Sequence, residues 1–148
     1  MKLMRRGMSC GLSNKGINKL LLFLSKKNYT CYLLHCLAID KREMIIPDYL
    51  QDQRATETML KEMAITSFFE FKFLMYPPNK PCKDFASYET FVESDCICCL
   101  LYYDCGWLDV YIKDDVLFED VYGFLMKLDI EQFEIITDIN DKREALTL

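Results

Sequence analysis

Apolar residues recur along the chain with two different periods, and those periods mark its elements. Between 15 and 27, Ile17, Leu20, Leu21 and Leu24 repeat at helical spacing while Asn18, Lys19, Ser25 and Lys26 can face water. This predicts an amphipathic helix, with Ser13 and Asn14 as cap residues before it and Asn28 at its end. The run YTCYLLHCLAI, 29–39, is β-prone and nearly unbroken in apolar character, which predicts a strand covered on both faces. In SFFEFKFLMY, 67–76, Phe69, Phe71 and Phe73 alternate with Glu70 and Lys72, the period of two that a strand with one wetter face requires. Extended pieces over 3–10 and 44–46, the latter stopped by Pro47, and a helix over 56–64 complete this half.

Prolines make 77–82 a loop, and Ser87 caps a helical turn over 87–94. DCICCLLYY and WLDVYIKDD then predict two strands joined by Asp104-Cys105-Gly106, with the glycine supplying the positive φ of a tight turn. Asp114 or Asp115 caps a helix over 116–128, FEIITD at 133–138 is another strand, and the tail turns at Asn140-Asp141 with room for a short terminal strand. Hairpins mixed with crossovers predict an α+β fold. The expected form is a two-layer sandwich, a mixed and mainly antiparallel sheet with about three helices on one face, in one domain over 1–148.

Composition narrows what such a fold can do. At 148 residues the chain is long enough to bury a core without metals or disulfides, and its 51% hydrophobic content suits a packed globule. A net charge of −5 opposes binding to nucleic acid and to anionic lipid, both of which need clustered Lys and Arg. The opening MKLMRRGMSCGL sets basic residues before Ser9-Cys10 as a lipoprotein signal does, but Gly7 follows Arg5 and Arg6 with no apolar stretch between. LLLFL at 20–24 is too short to span a bilayer. The expectation is a cytoplasmic protein whose eight cysteines stay reduced, with no nucleic-acid or membrane partner.

Four of those cysteines crowd into DCICCLLYYDC, yet the spacing is wrong for zinc. Structural sites use Cys-x₂₋₄-Cys pairs, whereas strand parity sends Cys96 and Cys98 to one face and Cys99 to the other. No Cys-x-x-Cys opens a helix, so thiol redox chemistry lacks a source of lowered pKa. The only histidine, His35, sits inside an apolar strand and fits a core or interface position better than a catalytic base. The five glycines form no phosphate-binding pattern. TDINDKRE at 137–144 departs from a calcium loop, with Lys142 and Arg143 where an acid and a glycine belong, and fits a hydrogen-bonded Asx turn. No catalytic residue, metal site or cofactor is expected.

Acids and aromatics supply the remaining candidate. Alternation places Trp107, Asp109 and Tyr111 on one face of a strand that exits through Asp114, with Leu108, Val110 and Ile112 opposite. Such a face is either a protein-recognition surface, where aromatics are enriched, or the underside of a helix or loop that covers it.

RRGMSCGL, the phenylalanine-rich strand ending in LMYP, the block SYETFVESDCICCLLYYDCGWLDVYIKD and the terminal EIITDINDKREALTL resemble a family of small Bacillus-type proteins defined only as a domain of unknown function. The resemblance covers nearly the whole chain, is carried by its later half, is poor over 26–66, and does not extend to the cysteine run at 96–99. It implies a bacterial cytoplasmic protein of about this length, with Met4 near the family's usual start, and transfers no site residues. The expected function is therefore a non-enzymatic, acidic, protein-binding or regulatory module of the inhibitor or immunity-protein kind. Its binding residues would be Trp107, Asp109, Tyr111 and Asp114, and its partner a protein, basic for preference. The alternative is a metal- or thiol-responsive, small-ligand-binding protein using Cys31, His35 and the 96–105 cysteines.

Overall fold

The computed structural model describes residues 4–39, 53–63 and 67–148. Strand β1 (Arg5–Leu12) leads into helix α1 (Asn14–Ser25), then β2 (Thr30–Ile39), the two-residue β3 (Gln53–Arg54), helix α2 (Glu57–Met63) and β4 (Ser67–Tyr76). Helix α3 (Tyr88–Glu93), strands β5 (Cys98–Tyr103) and β6 (Trp107–Ile112), helix α4 (Asp115–Leu125) and β7 (Ile130–Thr137) follow. The strand expected over 44–46 lies outside the described residues.

The described strands join one sheet in the order β3-β2-β4-β5-β6-β1-β7, and each of the six pairings among them is antiparallel. The expected α+β two-layer sandwich with a mixed sheet and about three helices is thus corrected to a sheet-dominated fold with four short helices among the described residues. Two features produce the difference. The helical crossovers link strands that never become neighbours: α1 carries the chain from β1 to β2 past three intervening strands, and α4 carries it from β6 to β7 past β1. No parallel pair forms among the described residues. The sheet is also covered on both faces, not one.

Helices α1 and α4 cover the first face. Ile17, Leu20, Leu21 and Leu24 of α1, with Leu117, Phe118, Val121 and Leu125 of α4, pack on Met8, Phe71, Phe73, Leu100, Leu108 and Val110. The helical spacing read from the sequence is the spacing that meets the sheet, and Ser13 accepts the Gly16 N–H as the N-cap. The second face carries a separate cluster, Leu34, Leu74, Tyr76, Cys99, Leu101 and Tyr111, closed by Phe91 of α3, Phe85 of the 77–87 loop and Leu146 of the tail. The tail adds no strand. It lies across this face, tied by Leu146 N–H to the Ala86 carbonyl at 2.8 Å.

Bulges account for the parity errors of the sequence reading. Ile97 N–H donates to the Met75 carbonyl while Cys98 already pairs with Met75, so an extra residue enters β5 at its start. Cys96 and Cys99 consequently share the second face and Cys98 the first, not the division expected from a regular strand. In β4 the pairing skips Phe69, between Leu37 with Glu70 and Ala38 with Phe68. Lys72, expected on a wetter face, is 1% exposed. The β5–β6 turn also differs: Asp104 and Cys105 take the positive φ values, 51° and 57°, and Gly106 does not. Gly106 N–H closes the turn on the Tyr103 carbonyl at 3.2 Å.

The outer edge of β7 is blocked by its own continuation. Asn140 donates to the Ile135 carbonyl at 2.9 Å and accepts the Thr137 N–H at 2.6 Å, taking the place a neighbouring strand would occupy.

Glycine is obligatory at one place in this sheet. A Cβ on Gly7 would stand 1.7 Å from the Val110 backbone carbonyl oxygen, whereas one on Gly123 meets nothing within 4 Å. Gly7→Ala is expected to cost about 2–3 kcal/mol in urea unfolding, while Gly123→Ala in α4 is neutral or stabilises by about 0.5–1 kcal/mol. Equal effects would contradict the close approach of β1 to β6.

Candidate functional site

Asp109 sits in the middle of β6 on the second face, 7% exposed, and a carboxylate there needs donors on every side. Ser9 Oγ of β1 donates to its Oδ1 at 2.7 Å. Tyr103 OH of β5 donates to Oδ2 at 3.0 Å. Arg143 of the tail brings Nε to the same oxygen at 3.1 Å and its terminal nitrogen at 3.0 Å. Antiparallel register sets this up, since Ser9 lies directly across from Asp109 and Tyr103 across from Trp107. Trp107 Nε1–H in turn donates to Ser9 Oγ at 3.0 Å.

A second carboxylate, Asp141, completes the tail's attachment. It accepts from Tyr111 OH at 3.0 Å and from Arg6 at 3.1 Å, and Arg6 also lies 4.0 Å over the Tyr88 ring. Burial and the Asp141 carboxylate push the Tyr111 phenol well up from its ordinary value. Burial and Asp109 raise Tyr103 to about 12. Burial disfavours the charge on Arg143, and the facing Asp109 carboxylate more than compensates, so its pKa rises.

Above this floor the surface opens into a recess of about 370 Å³, whose rim includes Trp107, Glu134, Asn140 and Lys142. Of the residues expected to bind, Trp107 and Asp109 line it at the rim and floor, and Tyr111 lines it from below, its ring fully buried. Asp114 is elsewhere. It is the N-cap of α4, accepting the Leu117 N–H at 3.0 Å and the Tyr29 hydroxyl at 3.2 Å. The face is partly covered, over Tyr111 by Tyr88 of α3, whose ring centroid lies 5.9 Å away, and over Asp109 by the tail. The sequence reading missed Ser9, Tyr103, Arg6, Asp141 and Arg143, and the signal available was the polar run at 137–144.

His35 is not a core histidine. It stands 54% exposed at φ 51° in a bulge of β2, with Nε2 2.7 Å from Asp84. Asp84 also holds the buried Lys72 ammonium at 2.7 Å, and Lys72 donates to the Phe85 carbonyl. Burial pushes the Asp84 pKa up, and the Lys72 and His35 hydrogen bonds outweigh it, leaving the carboxyl below its ordinary range. Cys31 belongs to the opposite face from this group. Among the described residues the cysteines are unbridged, and no three His, Cys, Asp or Glu side chains gather as a metal site would require. Burial pushes the Cys31, Cys36 and Cys96 thiols up to about 12, which suppresses the reactive thiolate.

Residues 47–147 match the model of a family described as protein of unknown function, DUF2691. The chain is also 35% identical over 83 residues to the uncharacterized protein YncE of Bacillus subtilis (strain 168), an alignment covering 56% of this chain and 53% of that protein. The chain thus spans about half the length of that curated relative. No solved structure matches it. No helix among the described residues is long and apolar enough to cross a membrane.

The assignment of Asp114 as a cap is testable by pH. Its pKa is lowered from about 3.8, chiefly by the Leu117 N–H, with burial opposing and the Tyr29 hydroxyl assisting. A depressed folded-state value gives stability that is present above the unfolded pKa and lost as pH falls through the folded one. Asp114→Ala is therefore expected to cost about 1 kcal/mol at pH 7 and progressively less below pH ~4. A cost independent of pH, measured by urea unfolding across that range, would assign Asp114 another role.

Proposed function

Because the chain belongs to the DUF2691 family, whose function is unknown, we propose a role from the geometry: a non-catalytic module of the bacterial cytoplasm that binds another protein through the recess beside Trp107. The observation that carries this reading is the saturation of the recess floor. Catalysis by a base or nucleophile requires a group free to move a proton or an electron pair at the reacting atom. Here Ser9 donates to Asp109 and accepts from Trp107, Tyr103 donates to Asp109, Tyr111 donates to Asp141, and Arg143 is committed to Asp109 and to the Thr147 carbonyl. The groups are fixed in place and spent on one another. A rigid surface of that kind suits recognition, where little side-chain freedom is left to lose on binding.

The rim supports the same reading. Trp107 is half-buried with an indole at the mouth of a concave surface, the side-chain type that most often anchors an interface. The net charge of −5 would steer a basic partner and speed its association. Unbridged thiols suit a reducing compartment.

Affinity capture from a Bacillus lysate with the protein and its Trp107→Ala variant tests the reading. The expected result is a stoichiometric protein partner whose recovery falls about tenfold or more with the variant, far-UV circular dichroism being unchanged. A partner retained equally by both proteins, or no stoichiometric partner, would contradict it.

A further inference from the structure

The aromatic rings on the recess side of the sheet are treated unequally. Tyr88 carries the Arg6 guanidinium at 4.0 Å and Tyr103 carries that of Arg143 at 4.9 Å. Trp107, the strongest cation-binding ring of the three, has no cation over it among the described residues. Its indole lies against Gly11 of β1, where a Cβ would stand 3.7 Å from the indole Cζ3 and 3.5 Å from Glu131 Cβ. A Cβ at Gly11 would thus be in ordinary van der Waals contact with both, which places the indole edge and Glu131 on either side of the same β1 position.

On β7 the register then matters. Ser9 pairs with Glu134 and Gly11 with Glu131, while β1 runs regularly against β6 from Gly7 to Gly11. The irregularity is thus on β7, at Gln132 and Phe133, and Gln132 has a φ of 51°. In a regular strand, residues three apart face opposite ways. The bulge reverses that, placing Glu131 and Glu134, both exposed, on the same side as Ser9 and Gly11. The indole is bordered by two carboxylates where the plain alternation would have left one. Among the described residues Lys142, exposed on the rim, is the one opposing charge there that is not spent in an ion pair.

We propose that the recess receives a cationic side chain, arginine or lysine, of a protein partner, laid on the Trp107 indole and flanked by Glu131 and Glu134. This rests on the protein-binding reading above and names the chemistry of its contact. A guanidinium on the ring repeats what the molecule does internally at Tyr88 and Tyr103, with a partner supplying the cation. The positive-φ bulge is then a positioning device for the two carboxylates.

Trp107 is the chain's only tryptophan, so its emission reports on the recess directly. The intact protein is titrated with end-blocked tripeptides Gly-X-Gly in which X is Arg, Lys, Leu or Glu, and the titration is repeated with the Glu131→Gln/Glu134→Gln double variant. Both substitutions are on the surface, and a glutamine amide in place of the Glu134 carboxylate would keep the acceptor that Asn140 uses at 2.9 Å. The expected result is a saturable change in emission with the Arg and Lys peptides, at least about fivefold weaker with the Leu and Glu peptides, weakened similarly by the double variant and by added salt. No response, an equal response to all four peptides, or a response unaffected by the double variant overturns the proposal. If a captured partner depends on Trp107 while the basic peptides do nothing, the cation is wrong and the binding surface stands. If capture ignores Trp107, the surface itself is wrong.

Discussion

A carboxylate removed from water in the middle of a β-sheet has to be matched by donors, and at Asp109 they come from three separate parts of the chain. Ser9 and Tyr103 reach it from the two strands paired with β6, and Arg143 reaches it from the tail. Burial makes the arrangement binding on all of them. With side-chain exposures of 9% for Asp109 and 18% for Arg143, removing either partner would leave a charge stranded in a poorly solvated site. The tail is therefore held to the second face by an electrostatic requirement at one end and by Leu146, 1% exposed, at the other. Between them Arg143 also donates to the Ala145 and Thr147 carbonyls, which gives the tail its course.

Much else follows from that attachment. With the tail in place, Asn140 can close the outer edge of β7, Asp141 can take the Tyr111 and Arg6 donors, and the apolar cluster around Phe91 and Leu101 gains its cover. The recess is what remains uncovered, with Trp107 at its rim. On the proposed reading, the locked polar groups leave one open aromatic ring for a partner, and the bulge that turns Glu131 and Glu134 to the same side would set the charge preference of that contact.

Local physics made most of the elements legible in the sequence. The α1 stripe, the Ser13, Ser87 and Asp114 caps and the extended runs that became β2, β4, β5, β6 and β7 all depend on neighbours along the chain. The sheet order did not, because the crossovers give no hint of which strands end up adjacent. Bulges did the most damage to side-chain assignment: one inserted residue near Ile97 moved Cys96 to the face of Cys99, and others displaced Phe69 and exposed His35. The Trp107, Asp109 and Tyr111 alternation was readable since β6 is regular throughout its pairing with β5. Arg143 was not, because its partner lies thirty-four positions away and nothing in a polar run says which charge is spent inside.

The most direct test is a double-mutant cycle on Asp109→Ala and Arg143→Ala, followed by urea unfolding with circular dichroism. Each single change is expected to cost about 3–5 kcal/mol, and the double variant little more than the worse of the two, because the second removal relieves the charge that the first left stranded. Losses that simply add would show that the two residues act independently, and that the tail is held to the sheet by something other than this pair.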